Sequence, residues 1–480
     1  MAYIVTLPAP ELASIRDKLQ LEQRLTKALP KARLGIDGPP MVLVLGDLGA
    51  DPQLGLGGRW LQLEWMGVVT KAGTVGAVDA SITVDPLREC RIPVAFDGAR
   101  GLLNALPGSV YEDFNRTMIP GGVGGCGQET WTALEAALRQ ERPDLVDLLD
   151  WLLAQAMPPR LDANDEAELL WLEQRDALRN IVRIADFPPS ALAAWRRPAS
   201  RDVPYLAGLI PQPVEHSLID HDIRIAGEPL DMFSEWQGST RTRCDVHILQ
   251  DAQGRRLEIA NVNATPVEGR LGTDMIYYHE PTHSFVLVQY KRLHPTTRAV
   301  RVTRQLKEQL DKLEQVAKLS KAPAAPSDWR MGNDACFLKL AHWPADTTAH
   351  PVDGLVPGLY LPLSYVRLLL SDDCTRGVRE DHNARYLGYR EVERHLVGAQ
   401  FVELVKHGLA GTVGTSVEQL RDLVEGRLDA GQGIMVAAER SGESVKGRQE
   451  RTRKRGSKAK KYSHVISGQQ TLFEAPKHSS

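Results

Sequence analysis

Between Asp274 and Leu293 the chain reads DMIYYHEPTHSFVLVQYKRL. Two runs of β-forming residues flank the turn residues EPTH, so the segment predicts a hairpin: DMIYYH (274–279) going out and SFVLVQYKRL (284–293) returning. The returning run is the strongest constraint on the fold. Phe285 to Val288 are four consecutive apolar residues, which leave no face for water, so this strand belongs inside a sheet covered on both sides. Helical patterns that can cover it stand nearby. Apolar positions recur at three- and four-residue spacing in ETWTALEAALRQ, PDLVDLLDWLLAQ and DEAELLWLEQRDALRNIVRIA (within 128–196), and in RVTRQLKEQLDKLEQVAKL at 301–319. RCDVHILQ and RRLEIANVN predict a second hairpin around Asp251-Ala252-Gln253-Gly254.

The polar residues of the first hairpin carry chemistry. Gln289 and Lys291 are two apart and share one face of their strand. A hairpin can bring Asp274 to the same end, and Gly272 lets the chain enter that strand sharply. Cleavage of a phosphodiester requires a divalent ion on oxygen ligands, an activated water and positive charge near the phosphate. A carboxylate and an amide oxygen on adjacent strands, with a lysine beside them, meet that requirement.

Gly272-Thr273-Asp274 followed by Gln289-Tyr290-Lys291 resembles the G-x-D and (D/E/Q)-x-K elements of the PD-(D/E)XK nuclease superfamily. The Q-x-K form is similar to nucleases of bacterial anti-phage defence and restriction systems. The resemblance covers about 50 residues and reaches toward the 301–319 helix. It implies a restriction-endonuclease-like mixed sheet flanked by helices, within an α/β multidomain chain. It implies Mg²⁺ or Mn²⁺ on Asp274 and Gln289, with the Tyr290 carbonyl as a further ligand and Lys291 beside the attacking water. Gln289 in place of the usual acid removes one negative charge from the metal site and implies weaker metal binding. Glu268 has two readings: a metal-site acid, or the N3 residue of a capping box with Thr265 as N-cap and Pro266 at N1. His279 and His283 fall in the turn and read as exposed. The expected substrate is DNA. The rivals are a nuclease acting on RNA and a catalytically silent nucleic-acid-binding or scaffold subunit. Nucleases of this kind often act as homo-oligomers. With no ATP-binding motif, any ATPase, helicase or sensor is expected to be a separate partner.

At 480 residues the chain has room for about three domains. The expected division is a β-rich N-terminal domain (1–116), a helical region (117–200), the nuclease core (201–320), an α/β extension (321–440) and a disordered basic tail (441–480). Residues 10–30 read as one amphipathic helix and the Gly-rich stretch TMIPGGVGGCG (117–127) as a flexible boundary; it lacks the GK[ST] ending of a phosphate loop. Five widely spaced cysteines with no C-x-x-C pair point to reduced thiols rather than a disulfide framework or a zinc ribbon. The N-terminus lacks a basic segment followed by an apolar one, and no apolar run nears the ~20 residues of a membrane span. A cytoplasmic protein with no membrane partner is therefore expected.

The net charge of −3 means that any affinity for nucleic acid arises from local patches. The tail is one such patch: Lys446, Arg448, Arg451, Arg453, Lys454, Arg455, Lys458, Lys460 and Lys461 would attract phosphate in a salt-sensitive way. Beyond them, Gln469-Gln470-Thr471-Leu472-Phe473 resembles the peptide by which bacterial replication and repair proteins dock on the sliding clamp. Gln469, Leu472 and Phe473 are the matching positions; Gln470 departs from the frequent Leu.

Overall fold

The alternating runs of the first hundred residues build one mixed sheet, seen in a computed structural model. The structure describes residues 2–19, 25–30, 41–50, 59–74, 79–96, 101–188, 192–201, 203–210, 242–250, 254–264, 273–343, 354–377, 384–429, 433–440, 443–451 and 453–454. The strands are β1 (Ala2–Pro8), β2 (Leu25–Pro30), β3 (Met41–Ala50), β4 (Arg59–Thr74), β5 (Asp79–Ala95) and β6 (Val123–Cys126), in the order β2-β5-β4-β3-β1-β6. β1 runs parallel to β3, and the chain between them includes α1 (Ala9–Leu19). Leu12 and Ile15 of α1 join Tyr3, Val44 and Trp65 on one face. On the other, α2 (Gly108–Thr117), α3 (Gln128–Glu141) and α4 (Val146–Ala156) press Phe114, Trp131 and Trp151 onto Ile4, Leu43 and Leu63. Each such side chain contributes about 1.5–3 kcal/mol when fully buried.

A second, seven-stranded sheet has the order β13-β12-β10-β9-β15-β8-β7. Its strands are β7 (Thr242–Gln250), β8 (Arg256–Ala264), β9 (Thr273–His279), β10 (Ser284–Arg292), β12 (Cys336–Ala341), β13 (Gly358–Pro362) and β15 (Gly433–Arg440). β11 (Ala299–Arg301) and β14 (Tyr386–Gly388) form a separate two-stranded ribbon. The two hairpins expected from sequence are present, β7–β8 and β9–β10, both antiparallel. β12 lies parallel to β10, which requires a crossover. That crossover contains β11 and α6 (Arg304–Ala317), whose N-cap Thr303 hydroxyl accepts the Leu306 N–H at 3.2 Å. α5 (Glu166–Ile184) and α8 (Gly398–Lys406) cover the face carrying Met275, Val288 and Tyr290. α6, α7 (Leu363–Ser371) and α9 (Val417–Asp429) cover the face carrying Ile276, Leu287 and Leu338. β10 is accordingly buried from Ser284 through Tyr290. The architecture is mixed α/β.

Several boundaries move. The division at 320 runs through a single sheet, because β12, β13 and β15 pair with strands from before it. β15 even lies between β8 and β9, antiparallel to one and parallel to the other: its Ile434–Ala438 run is apolar on both faces and needs neighbours on both edges. The helical region is divided as well, α3 and α4 serving the first sheet and α5 the second. Residues 10–30 are not one helix, since β2 takes over at Leu25. The Gly-rich boundary holds an edge strand: at Gly124 a Cβ would lie 1.7 Å from the Thr117 carbonyl oxygen, so only glycine fits.

The segment just after 441, expected to be disordered, is ordered over its described residues. Residues 445–451 are helical, and Arg448 is buried. It donates to Glu439 and to the carbonyls of Lys406 (3.2 Å) and Ile184 (3.3 Å). Arg451 pairs with Asp186 and, at 2.9 Å, with Glu443. A segment almost without apolar residues is held by charges that find one buried carboxylate, Glu439, and the half-buried Asp186 and Glu443. Arg453 and Lys454 are exposed; Arg455, Lys458, Lys460, Lys461 and the peptide Gln469–Phe473 lie outside the described residues. Among the described residues no helix is long and apolar enough to cross a membrane.

Candidate active site

Asp274 at the start of β9 stands directly opposite Gln289 of β10. Opposed residues of an antiparallel pair share a face, with Cα atoms about 4.5–5.5 Å apart. Both side chains are buried. Lys291 lies two residues further along β10 on the same face and is half-buried, at the end where the strand leaves the core. Burial pushes its ammonium below the usual lysine value, while the charges of Asp274 and Glu173 act against that shift. The structure therefore groups the three residues singled out from sequence.

Glu173 was not foreseen. It lies on α5, is 7% exposed, and its charge bears on both Lys291 and Lys339. A signal was present: Leu169, Glu173, Asp176 and Asn180 recur at helical spacing, so polar groups interrupt a stripe that otherwise faces the core.

Directly behind Gln289 and Lys291, on the other face of β10, Tyr290 enters a closed polar network. Its hydroxyl donates to Asp176 at 3.0 Å. Lys339, paired with Tyr290 in register, is fully buried and forms an ion pair with Asp176. The other Asp176 oxygen accepts the Val356 N–H at 2.7 Å. Tyr360 donates to Asn180 at 3.0 Å, and the Lys339 ammonium sits 4.7 Å from the Tyr360 ring centroid and 5.1 Å from that of Tyr290. Burial drives Lys339 below and the Tyr290 hydroxyl well above their ordinary values. Tyr290 is thus more than a strand former: its side chain ties β10 to α5.

Glu268 and Gly272 lie outside the described residues. His279 is not an exposed turn residue. It is 8% exposed, its Nδ1 is 2.7 Å from the Thr282 hydroxyl, and burial, with Arg448 and Arg330 adding, lowers its pKa to about 3. His283 is exposed and takes a left-handed φ of 45° to close the turn. Cys90, Cys126 and Cys336 are buried thiols, and burial raises the Cys126 thiol, the opposite of what a nucleophile needs.

Among the described residues no group of three or more His, Cys, Asp or Glu side chains is placed to hold a metal. Asp274 and Gln289 nonetheless provide a carboxylate and an amide oxygen side by side, the hard donor set that suits Mg²⁺ or Mn²⁺, ions that keep several of their waters. No protein-family model, curated protein or solved structure matches the chain.

Proposed function

We propose that the chain is a metal-dependent nuclease that hydrolyses phosphodiester bonds in DNA, of the PD-(D/E)XK kind, in a bacterial defence setting against phage or plasmid. One observation carries this: Asp274 opposes Gln289 across β9 and β10, with Lys291 on the same face at the exit of β10. The antiparallel β9–β10 pair followed by a helical crossover to a parallel β12 is compatible with a restriction-endonuclease-like core. Asp274 and the Gln289 side-chain oxygen would hold Mg²⁺ or Mn²⁺, and the bound ion would supply Lewis-acid charge at the phosphate. Lys291 does the proton work. Its depressed pKa brings the ammonium nearer to exchange with a water, and its charge faces the phosphate. The charges of Asp274 and, behind it, Glu173 keep that ammonium from being depressed further. The Asp176–Lys339–Tyr290 network holds the backbone of β10, and so the spacing of Gln289 and Lys291.

A second reading is favoured by Gln289 standing where an acid is usual and by the lack of a three-ligand group among the described residues: a silent subunit that binds nucleic acid without cutting it. Supercoiled plasmid and a matched RNA, each incubated with Mg²⁺ or Mn²⁺, separate the readings. Nicking by the wild type, reduced about a hundredfold or more in Lys291→Ala and Asp274→Ala, supports the DNA nuclease. Preferential RNA cleavage redirects the substrate. Equal cutting by all three proteins removes the site assignment, and no cutting leaves the silent subunit.

A further inference from the structure

The chain is weakly acidic as a whole, yet residues 281–307 contain Lys291, Arg292, Arg298, Arg301, Arg304 and Lys307 and not one Asp or Glu. The fold gathers this charge beside the candidate site. Arg292 is exposed and pairs in register with Ala341, so His342 follows at the same strand end. From there the chain turns through His294 into the β11–β14 ribbon. Arg298 is exposed, adopts a left-handed φ of 50°, and its carbonyl accepts the Tyr389 N–H at 3.3 Å. Its charge reaches both sides of the junction: burial first, then Arg298, lowers His342, and Arg298 partly offsets the burial that raises Tyr389. Tyr389 is 39% exposed and meets the His395 ring edge-on at 6.1 Å. Arg390 and Arg394 are exposed on the same segment. Among the described residues, Arg292, Arg298, Arg390 and Arg394 form no ion pair with a carboxylate, although Glu391 and Glu393 lie between the last two.

We infer that the β11–β14 ribbon and the Tyr389–His395 segment form a nucleic-acid-binding surface, on which the arginines take the phosphate backbone and Tyr389 offers a ring for an unpaired base. Exposed guanidinium groups without acidic partners gain most from phosphate, and the release of counterions makes such binding steeply salt-dependent. An exposed aromatic among them is the stacking element of a single-strand groove. The inference rests on the nuclease reading for the position of the reacting strand, since the surface begins at Lys291; the binding itself does not require cleavage.

The test uses the full chain in EDTA, with labelled single-stranded and duplex oligonucleotides and phosphatidylserine vesicles as probes, across a salt series. Arg298→Gln/Arg390→Gln/Arg394→Gln should weaken oligonucleotide binding about tenfold or more and flatten the log–log salt slope by about 2–3, at roughly 0.7–0.9 per lost phosphate contact. Tyr389→Ala should weaken the single strand about tenfold with little effect on duplex. Arg298→Glu should exceed Arg298→Gln. An unchanged affinity and slope in the triple variant overturns the proposal. So does a wild type that prefers the vesicles or binds neither oligonucleotide, or binding that disappears when the chain ends at 454 but survives in the triple variant. Without a divalent ion nothing is cut, so the two ideas fail separately. Intact binding by a chain that never cleaves removes the nuclease and keeps the surface. Cleavage with binding untouched by the triple variant does the reverse.

Discussion

In the first sheet the buried Glu64 has as its partner Arg16, whose side chain is 47% exposed, at 2.6 Å. In the second sheet Lys339 and Asp176 are both completely buried, Arg448 and Glu439 nearly so, and Asp274 and Gln289 share a row within the core. The second sheet has a similar water-reached pair, Glu258 with Arg256 at 2.9 Å, but it also encloses whole ion pairs. Enclosing an ion costs several kcal/mol unless partners and hydrogen bonds offset it. The two enclosed pairs are accordingly closed by tyrosines and backbone groups. The row of Asp274, Gln289 and Lys291 differs from both, because it ends in a half-buried lysine at a strand exit. Closed networks hold strands in place, whereas a row that opens toward solvent can act on a substrate.

The contrast can be broken by mutation. Asp176→Ala should have the largest effect, about 3–5 kcal/mol by urea unfolding, because it leaves the Lys339 ammonium buried alone. The double variant Asp176→Leu/Lys339→Met should recover most of that loss; a single variant within 1 kcal/mol of wild type by the same measure, on the order of one hydrogen bond, would show that the network is not closed. Arg448→Ala should cost about 2–3 kcal/mol, the value of hydrogen bonds to a charged group, since the Tyr277 hydroxyl still reaches Glu439. Ending the chain at 441 should be at least as damaging, an outcome that a free tail would not produce.

Next comes pH. His279 has its folded pKa lowered to about 3 from 6.5, so below pH 6.5 the unfolded chain takes up a proton that the folded chain refuses. The stability is full above pH 6.5 and falls as pH drops toward 3. Urea midpoints should show a loss of up to about 2 kcal/mol between pH 7 and pH 5, and His279→Leu should flatten that interval. A pH profile unchanged by the substitution would mean that the ring is solvated. The smallest effect belongs to the first sheet: Arg16→Ala should change stability by less than about 1 kcal/mol, as for other solvent-reached pairs. If it matched Asp176→Ala, the difference between the sheets would vanish.

Asp274, Gln289 and Lys291 were legible because a period of two and a four-residue turn align them within 20 residues of chain, so no distant contact was required. Glu173 is harder to see, since Lys291, on which its charge acts, lies more than a hundred positions away and only a polar break in a helical stripe marks it. His279 misleads for the opposite reason: a turn position suggests exposure, but the ring is buried, with the charge of Arg448 acting on it from far along the chain. Arg451 has the sequence setting of a phosphate-seeking charge, yet its partners are Asp186 and Glu443.

Local pattern was enough for the two hairpins, the α6 helix and the buried character of β10, because side-chain periodicity, turn residues and N-caps act over a few residues. Long-range packing alone sets β15 between β8 and β9, joins Asp176 to Lys339 across 163 positions and brings the Arg298 carbonyl to the Tyr389 N–H. Strand edges and buried charges are satisfied by whichever distant group fits, and that choice is made by the packed whole rather than by any local pattern.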